Sequence, residues 1–455
     1  MPFSPDPTLG EIVAALLHLG TPPEAIQIIG AVLFAVAILH TFSVGFFSRL
    51  AQRHPAHTGL WHLFAEVEFV FGFWAFVLVL FVGLTSIWTP VTGGEGGGGA
   101  FHAVTEGIAK YLEERNYTEP LFVFAIMVVA ASKPVLLFAT YLVRLVSRGL
   151  PISQPVAMYV TILIVVPLLS SFITEPAAMT LAAMMLKEVY YSKEMSPRLM
   201  YATLGVLFVN VSIGGTLTNF AAPPVLMVAR PWHWDSWFML SHIGWRSAIA
   251  VVINAIAVTL LFRKELARFA LAYRDGQGGV PIPVVGVHLL LLFAIVLFAH
   301  DPPVFLGVML IFLALAQAYP QFQERLILRE GLMVGCFLAG LVTLGGQQSW
   351  WLQPLLKQMD ATSIYYGASA LTAVTDNAAL TYLGSLVEGL SDDFKFALVT
   401  GAVTGGGLTV IANAPNPAGI SILGRHFKGG AVNPLGLLAA AAPPTLMAIV
   451  AFRFI

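Results

Sequence analysis

The chain has 455 residues, of which 58% are hydrophobic and only 10% charged, and its mean hydropathy is +0.82. A water-soluble protein of this length could not keep its surface wet on that composition, so the chain belongs in a membrane. The net charge of −1 argues against a nucleic-acid partner, and the single cysteine, Cys336, excludes an internal disulfide and a cysteine-based metal site.

The N-terminal residues lack the positive-then-apolar pattern of a cleavable secretory signal, and Leu9–Leu19 is expected to form a short interfacial helix. Ten apolar segments predict membrane-crossing helices, because a crossing needs about 20 apolar residues. In chain order they are 24–48, 61–87, 119–145, 199–230, 237–262, 283–300, 303–320, 331–350, 395–424 and 434–453. The external loop 88–117 contains the glycine-rich stretch Gly93–Gly99, which favours a flexible linker over a phosphate-binding loop.

Two further apolar stretches, 152–190 and 363–391, are each interrupted by an acidic motif. The motifs are Thr174-Glu175-Pro176 and Thr375-Asp376-Asn377. Each stretch could cross the membrane twice, but short arms and a polar break favour a re-entrant hairpin, whose tip must be buried in protein or line a wet cavity.

Each acidic motif is followed by a matched Gly-Gly-x-Leu-Thr break inside an apolar segment, at Gly214–Thr218 and at Gly405–Thr409. Interrupted hydrophobic segments at corresponding positions are a pointer to a transporter's binding site. The predicted fold is an all-α polytopic membrane protein with two repeats, each containing a re-entrant helical hairpin and a broken transmembrane helix.

We expect a single membrane domain over residues 1–455. Its parts are N-terminal helices and an external loop at 1–118, repeat one at 119–262, linker helices at 263–330 and repeat two at 331–453. With ten spans and two hairpins, most lysines and arginines fall on one side of the membrane, which should be cytoplasmic. Both termini then lie outside, and the two repeats have inverted topology.

Glu175 and Asp376 are the leading candidates for ion binding, because a charged carboxylate at membrane depth is costly and usually faces a partner or a wet cavity. Thr174 and Thr375 precede them, and Asn377 adds a neutral carbonyl ligand. The alternative is that the acidic residues cap the hairpin arms, since Thr-Glu and Thr-Asp often open helices. Their recurrence at corresponding positions favours function.

The glycine-rich breaks are expected to unwind and to line a cavity with neutral oxygens. The candidate side chains there are Thr216, Thr218, Asn219, Thr409, Asn413 and Asn416. A kinked span packed through small residues is the alternative.

Lys133 lies in the middle of a predicted span, where a buried lysine must pair or lose its proton. We hypothesise that it pairs with Glu175 or Asp376 and leaves when a transported cation arrives. Snorkelling to the interface is the alternative.

At these residues the chain resembles the ion transporter superfamily, in which two inverted repeats each carry a re-entrant hairpin and a broken helix. The block Asp376-Asn377-Ala378-Ala379-Leu380 is similar to the Asp-Asn hairpin of sodium/proton antiporters and arsenite-extruding pumps. Over most of 119–453 the chain looks most similar to a bacterial group labelled as sodium/proton antiporters. The acidic tips differ from the Ser-Asn-Thr tips of dicarboxylate and citrate carriers, and Glu175-Pro176 departs from the Asp-Asn pattern.

These features favour a secondary antiporter that exchanges Na⁺, or another small monovalent cation, for H⁺ by alternating access. Glu175 and Asp376 would bind the transported Na⁺, and partial burial that raises a carboxylate pKa would let protons compete. No cofactor is expected. The partners would be a small inorganic ion and the lipid bilayer of a bacterial inner membrane, and a homodimer stays open. The alternatives are a cation-coupled carrier of a small anion or oxyacid, and a non-transporting membrane scaffold; no catalytic motif points to an enzyme.

Overall fold

The structure is a computed structural model that describes residues 24–86, 100–193, 195–269 and 279–455. The predicted helix Leu9–Leu19 and the glycine-rich stretch Gly93–Gly99 lie outside these residues. Across the described ranges the chain is helical and contains no strand. Six of the described helices are long and apolar enough to cross a membrane. Two further pairs of helices are bent at a short break, and if each pair is one span the number of spans is eight. The chain is therefore a multi-pass membrane protein.

The N-terminal half begins with short, bent segments and continues into longer helices. These are α1 Ala25–Thr41, α2 Val44–Arg53, α3 Thr58–Phe64, α4 Val67–Thr85, α5 Ala100–Glu113, α6 Thr118–Ala130, α7 Lys133–Gly149, α8 Gln154–Ile173, α9 Glu175–Leu186, α10 Pro197–Gly214, α11 Pro223–Ala229 and α12 Ser236–Leu261.

The C-terminal half alternates long helices with short ones around its breaks. These are α13 Arg263–Leu266, α14 Ile282–Leu297, α15 Pro302–Ala318, α16 Leu328–Gly345, α17 Ser349–Leu356, α18 Ala361–Thr372, α19 Asn377–Ser385, α20 Asp392–Gly405, α21 Asn416–Leu423 and α22 Pro434–Phe454.

The helices form two compact units. The first contains the described parts of Met1–Leu121 with Leu332–Met359 and Tyr382–Leu390. In this unit α4 and α16 approach closely at Gly340, where an added Cβ would lie 2.5 Å from the backbone carbon of Phe71. The carbonyl of Thr343 near the end of α16 accepts a hydrogen bond of 2.8 Å from Tyr111 Oη, which satisfies a group that the helix itself leaves unpaired.

The second unit contains the described parts of Phe122–Gly331 with Asp360–Thr381 and Ser391–Ile455. Helix α10 lies at its centre, packed against α8, α12 and α22, and 83% of its apolar window is buried. Helices α18 and α20 also pack against each other there. Side chains buried on all sides of α10 explain why its sequence is apolar without a polar face.

Three spans differ from the sequence prediction. The predicted unbroken span 119–145 is wrong, because α6 and α7 meet at a break with a 67° bend. Pro134 at the second position of α7 follows Ser132, which is its N-cap residue, so a new helix starts there. The first predicted span bends by 57° between Ala25–Thr41 and Gly45–Arg53, and the second consists of α3 and α4.

The expectation of short arms in the first hairpin is also wrong, because α8 has 20 residues and is long enough to cross a membrane. In the second stretch, α18 and α19 have 12 and 9 residues. Orientation, inverted topology and the ten-span count stay predictions that rest on the charge asymmetry.

Candidate ion-binding site

The first acidic tip is a sharp corner between α8 and α9. Thr174, which joins them, has a φ of 70°, a left-handed conformation that is strained for a β-branched residue. Such strain persists where the surroundings enforce it, and it clusters at binding sites. The corner places Glu175 at the first position of α9, followed by Pro176, whose missing N–H costs nothing at a helix start.

The Glu175 side chain is fully buried and only half satisfied. Its Oε2 accepts a hydrogen bond of 2.7 Å from Asn413 Nδ2, while Oε1 has no hydrogen-bond partner among the described residues. Gly215 leaves the space that Oε1 fills, because a Cβ there would lie 2.7 Å from that oxygen. A buried ionised carboxylate in this state needs a proton or a cation to neutralise it.

The second acidic tip lies beside the same segment of chain. The backbone N–H of Asn377 donates to the carbonyl of Ala412 at 3.2 Å, one residue before Asn413. Asp376 Oδ1 accepts from the backbone N–H of Ala378 at 2.8 Å. The Ala412–Asn413 segment thus contacts both tips.

Asn377 is fully buried, and neither its Oδ1 nor its Nδ2 has a partner in the described chain. Gly406 provides room for it, since a Cβ at this glycine would lie 2.9 Å from Asn377 Nδ2. Gly215 and Gly406 are the second glycines of the two matched breaks, and each adjoins the polar side chain of a different tip.

Threonines at corresponding positions brace the two breaks. Thr218 Oγ1 donates to the carbonyl of Ser171 at 2.6 Å, and Thr409 Oγ1 donates to the carbonyl of Ala373 at 2.8 Å. Each bond joins a break to the helix that leads into the neighbouring tip. Thr216 Oγ1 instead lies 2.6 Å from Ser247 Oγ, which anchors the first break to α12.

Asn416 starts the helix that follows the second break. Its Nδ2 donates to the carbonyls of Gly406 and Thr409, both at 2.8 Å, and so satisfies backbone groups that the break exposes. Its Oδ1 has no partner within the described ranges, as is also the case for Asn413 Oδ1 and Thr174 Oγ1.

Three candidates from the sequence lie elsewhere. Asn219 Nδ2 donates to the carbonyl of Trp234 and its Oδ1 accepts from Ser236 Oγ. Asn219 therefore stabilises the connection between α11 and α12. Thr375 Oγ1, in the turn after α18, donates to the carbonyl of Leu371 near the end of that helix.

The third, Lys133, forms its ion pair with Glu324 at 3.7 Å, not with Glu175 or Asp376. The predicted ion pair with a tip carboxylate is not formed, because Lys133 is the first residue of α7 and lies beside Glu324 of the non-helical segment 323–327.

Two groups at the site were missed. Ser171 Oγ donates to the carbonyl of Gly214 and accepts from the N–H of Leu217, so it clamps the first break from both sides. Ser212 Oγ donates to the carbonyl of Val403 beside Gly406. Serines in apolar helices commonly bond to backbone, but a lone serine in the sequence does not reveal which backbone.

No group of three or more His, Cys, Asp or Glu side chains that could hold a resident metal ion occurs in the described portion of the chain. The site has instead two carboxylates and several neutral oxygens at the junction of two broken helices. Such a donor set, inside a multi-pass helical protein, is typical of a secondary transporter of ions.

The sequence profile of the family described as "Putative Na+/H+ antiporter" matches residues 25–455. Because this match covers nearly the whole chain, the chain belongs to that family, in agreement with the resemblance noted from its motifs. Membership points to a transporter of an ion in a lipid environment, not to an enzyme. No curated protein matches the chain.

Proposed function

We propose that the protein exchanges Na⁺ for H⁺ across the membrane, and that both ions use the pocket between the two acidic tips. The observation that carries this proposal is the fully buried carboxylate of Glu175, of which Oε2 accepts a hydrogen bond while Oε1 has no partner among the described residues. Because an unpaired charge is costly at that depth, a proton or a sodium ion must neutralise it, and one group serves both ions in turn.

The unpaired atoms of the site favour a cation over an anion. Buried oxygens without partners in the described chain are Thr174 Oγ1, Glu175 Oε1, Asn377 Oδ1, Asn413 Oδ1 and Asn416 Oδ1, against one nitrogen, Asn377 Nδ2. Hard cations are bound by oxygen ligands, whereas an anion needs N–H donors. This donor set supports the cation exchanger over the carrier of a small anion or oxyacid.

The two carboxyl groups have different tasks in this proposal. Glu175 holds the dehydrated ion or the proton, because it is fully buried and has a free oxygen. Asp376 is part-buried and uses one oxygen to hold the start of α19, so it sets the charge of the pocket and receives the ion as it enters. We further propose that the matched breaks belong to inverted repeats that rock about this pocket to give alternating access.

Proteoliposomes test the proposal. After an inside-acid pH gradient is established, external sodium should dissipate it, and Glu175→Gln and Asp376→Asn should each abolish the response. Matched controls are Glu388→Gln and Asp393→Asn, which make the same chemical changes at exposed positions and should retain it. Silence towards sodium, lithium and potassium, together with flux of an anion, would reject the proposal.

A further inference from the structure

Two short helices near the N-terminus form a hairpin that leaves the direction of the preceding span. After α1 ends at Thr41, the chain bends by 57° into Gly45–Arg53, and α3 packs back against α2. We call residues 44–64 the α2–α3 hairpin. A bend of this size directs the hairpin away from the axis of α1.

Aromatic rings hold the inner side of the α2–α3 hairpin. The ring centroids of Phe47 and Phe64 are 5.8 Å apart, and those of Phe47 and Trp61 are 6.4 Å apart. Phe47 also stacks on His40 of α1 at 4.7 Å. Aromatic pairs at these distances add packing energy, so the hairpin is fixed to the end of α1.

The α2–α3 hairpin is rich in basic residues and contains no acidic residue. Between 44 and 65 the sequence has Arg49, Arg53 and three histidines, and no Asp or Glu. All five basic side chains are exposed; the histidines are His54, His57 and His62. The hairpin therefore carries a net positive charge, and the nearest acidic residues in the chain, Glu66 and Glu68, follow it.

Exposed apolar side chains accompany these charges. Phe46 is 56% exposed and Leu60 is 49% exposed. Phe46, Arg49 and Arg53 follow each other at i, i+3 and i+7, which puts them on one stripe of α2. An exposed aromatic residue in line with two arginines is the pattern of helices that lie in the membrane interface.

We propose that the α2–α3 hairpin is a docking surface for anionic phospholipid headgroups. Phe46 and Leu60 enter the boundary of the acyl chains, while Arg49 and Arg53 extend to the phosphates above it. Charge complementarity and continuity with α1 favour a lipid surface over an acidic protein segment, because the hairpin directly follows an apolar helix. This inference does not depend on which ion the protein transports.

Native mass spectrometry of the purified full chain tests the docking surface. The protein is solubilised from vesicles that contain phosphatidylglycerol and phosphatidylcholine, and the retained lipids are counted. The double variant R49Q/R53Q should bind phosphatidylglycerol about 25-fold more weakly, at roughly fivefold per arginine. The matched control, R263Q/R268Q, removes two exposed arginines elsewhere and should retain the wild-type affinity. Equal losses in both double variants would overturn the proposal.

A spin-label measurement supplies a second readout that leaves both arginines in place. Since Cys336 is the single cysteine of the sequence, Cys336→Ala gives a background for Phe46→Cys and Gln52→Cys. Gln52 lies about 120° from Phe46 around α2. The label at 46 should be accessible to oxygen and shielded from a water-soluble relaxation agent in anionic vesicles, and the label at 52 should show the reverse. Equal water exposure of the two labels contradicts lipid docking. Preferential binding of an acidic peptide over the lipid would also contradict it.

Discussion

Asn413 Nδ2 donates a hydrogen bond of 2.7 Å to Glu175 Oε2, and so links the second broken helix to the first acidic tip. The residue before it, Ala412, accepts the N–H of Asn377 from the second tip. One short segment therefore sets the positions of polar groups from both halves of the chain.

The first prediction concerns this amide. Asn413→Ala should raise the apparent sodium Km about 10- to 100-fold, because a hydrogen bond to a charged group contributes about 1.5–3 kcal/mol and each 1.4 kcal/mol is a factor of ten. The measurement is sodium-driven proton flux in proteoliposomes over a range of sodium concentrations.

Asn433→Ala is the control for Asn413→Ala. Asn433 caps α22 by accepting from the N–H of Gly436 at 3.0 Å, so its loss should lower stability by about 1 kcal/mol without changing the sodium Km. If Asn413→Ala keeps the wild-type Km, the bond to Glu175 has no part in ion binding.

The second prediction concerns the space beside Glu175. Gly215→Ala would put a Cβ 2.7 Å from Glu175 Oε1 and 3.1 Å from Ala222 Cβ, so the carboxylate or the break must shift. A displacement of about 1 Å at a reacting group costs on the order of 100-fold, and sodium-dependent flux should fall by about that factor.

Gly286→Ala is the matched control variant. Gly286 lies in helix α14, and no atom would lie within 4 Å of the added Cβ. The substitution should leave flux unchanged and stabilise the helix by about 0.5–1 kcal/mol. Equal flux in the two glycine variants would show that Gly215 does not limit the pocket.

The repeated motifs predict the polar junction because each part of them has a local physical effect. A carboxylate beside Pro176 or Asn377 starts a new helix, and glycine pairs followed by threonine end one, so tips and breaks can be read from the sequence. Their pairing across the molecule cannot be read in the same way. The bond between Asn413 and Glu175 joins residues 238 positions apart, and no local preference specifies it.

The break between α6 and α7 did have a sequence signal. Ser132-Lys133-Pro134 contains an N-cap residue and a proline at the second helical position, which together indicate a helix start. The span 119–145 was predicted from the length of its apolar sequence, and that criterion does not detect a helix start inside the segment. Helix α8 has 20 residues although Pro167 lies inside it, so a proline in an apolar stretch does not by itself end a span.

The third prediction concerns the ion pair of Lys133 with Glu324. The Glu324 side chain is 64% exposed, so the pair should contribute only about 0–1 kcal/mol to stability. Lys133→Gln should retain sodium-driven flux within about twofold, in contrast to the loss expected if Lys133 neutralised a tip carboxylate.

Charge reversal separates these two roles of Lys133. If the pair matters for folding, Lys133→Glu should lower the thermal midpoint and a second change, Glu324→Lys, should restore it. Loss of flux in Lys133→Gln with an unchanged midpoint would return Lys133 to the ion pathway.

The fourth prediction is a pH dependence at the loop that follows α21. Burial lowers the pKa of the His426 imidazole below its ordinary value of 6.5, and the positive charges of Lys187 and Arg425 lower it further. Its Nε2 is buried without a partner in the described chain, and its ring lies 6.1 Å from that of Tyr191. These surroundings favour the neutral ring.

The sign follows from proton linkage. As pH falls through 6.5, the unfolded chain binds a proton at His426 before the folded chain does, so the free energy of unfolding decreases and continues to decrease down to the lowered pKa of the folded state. The thermal midpoint in detergent should therefore drop between about pH 7.5 and about pH 5.5. His426→Gln should reduce this drop, since it removes the titrating group, whereas His300→Gln, at an exposed turn, should not. Lys187→Gln should also reduce the drop in thermal midpoint, because it removes one of the charges that disfavour protonation of His426. If the drop is undiminished in both His426→Gln and Lys187→Gln, the pH dependence belongs to other groups.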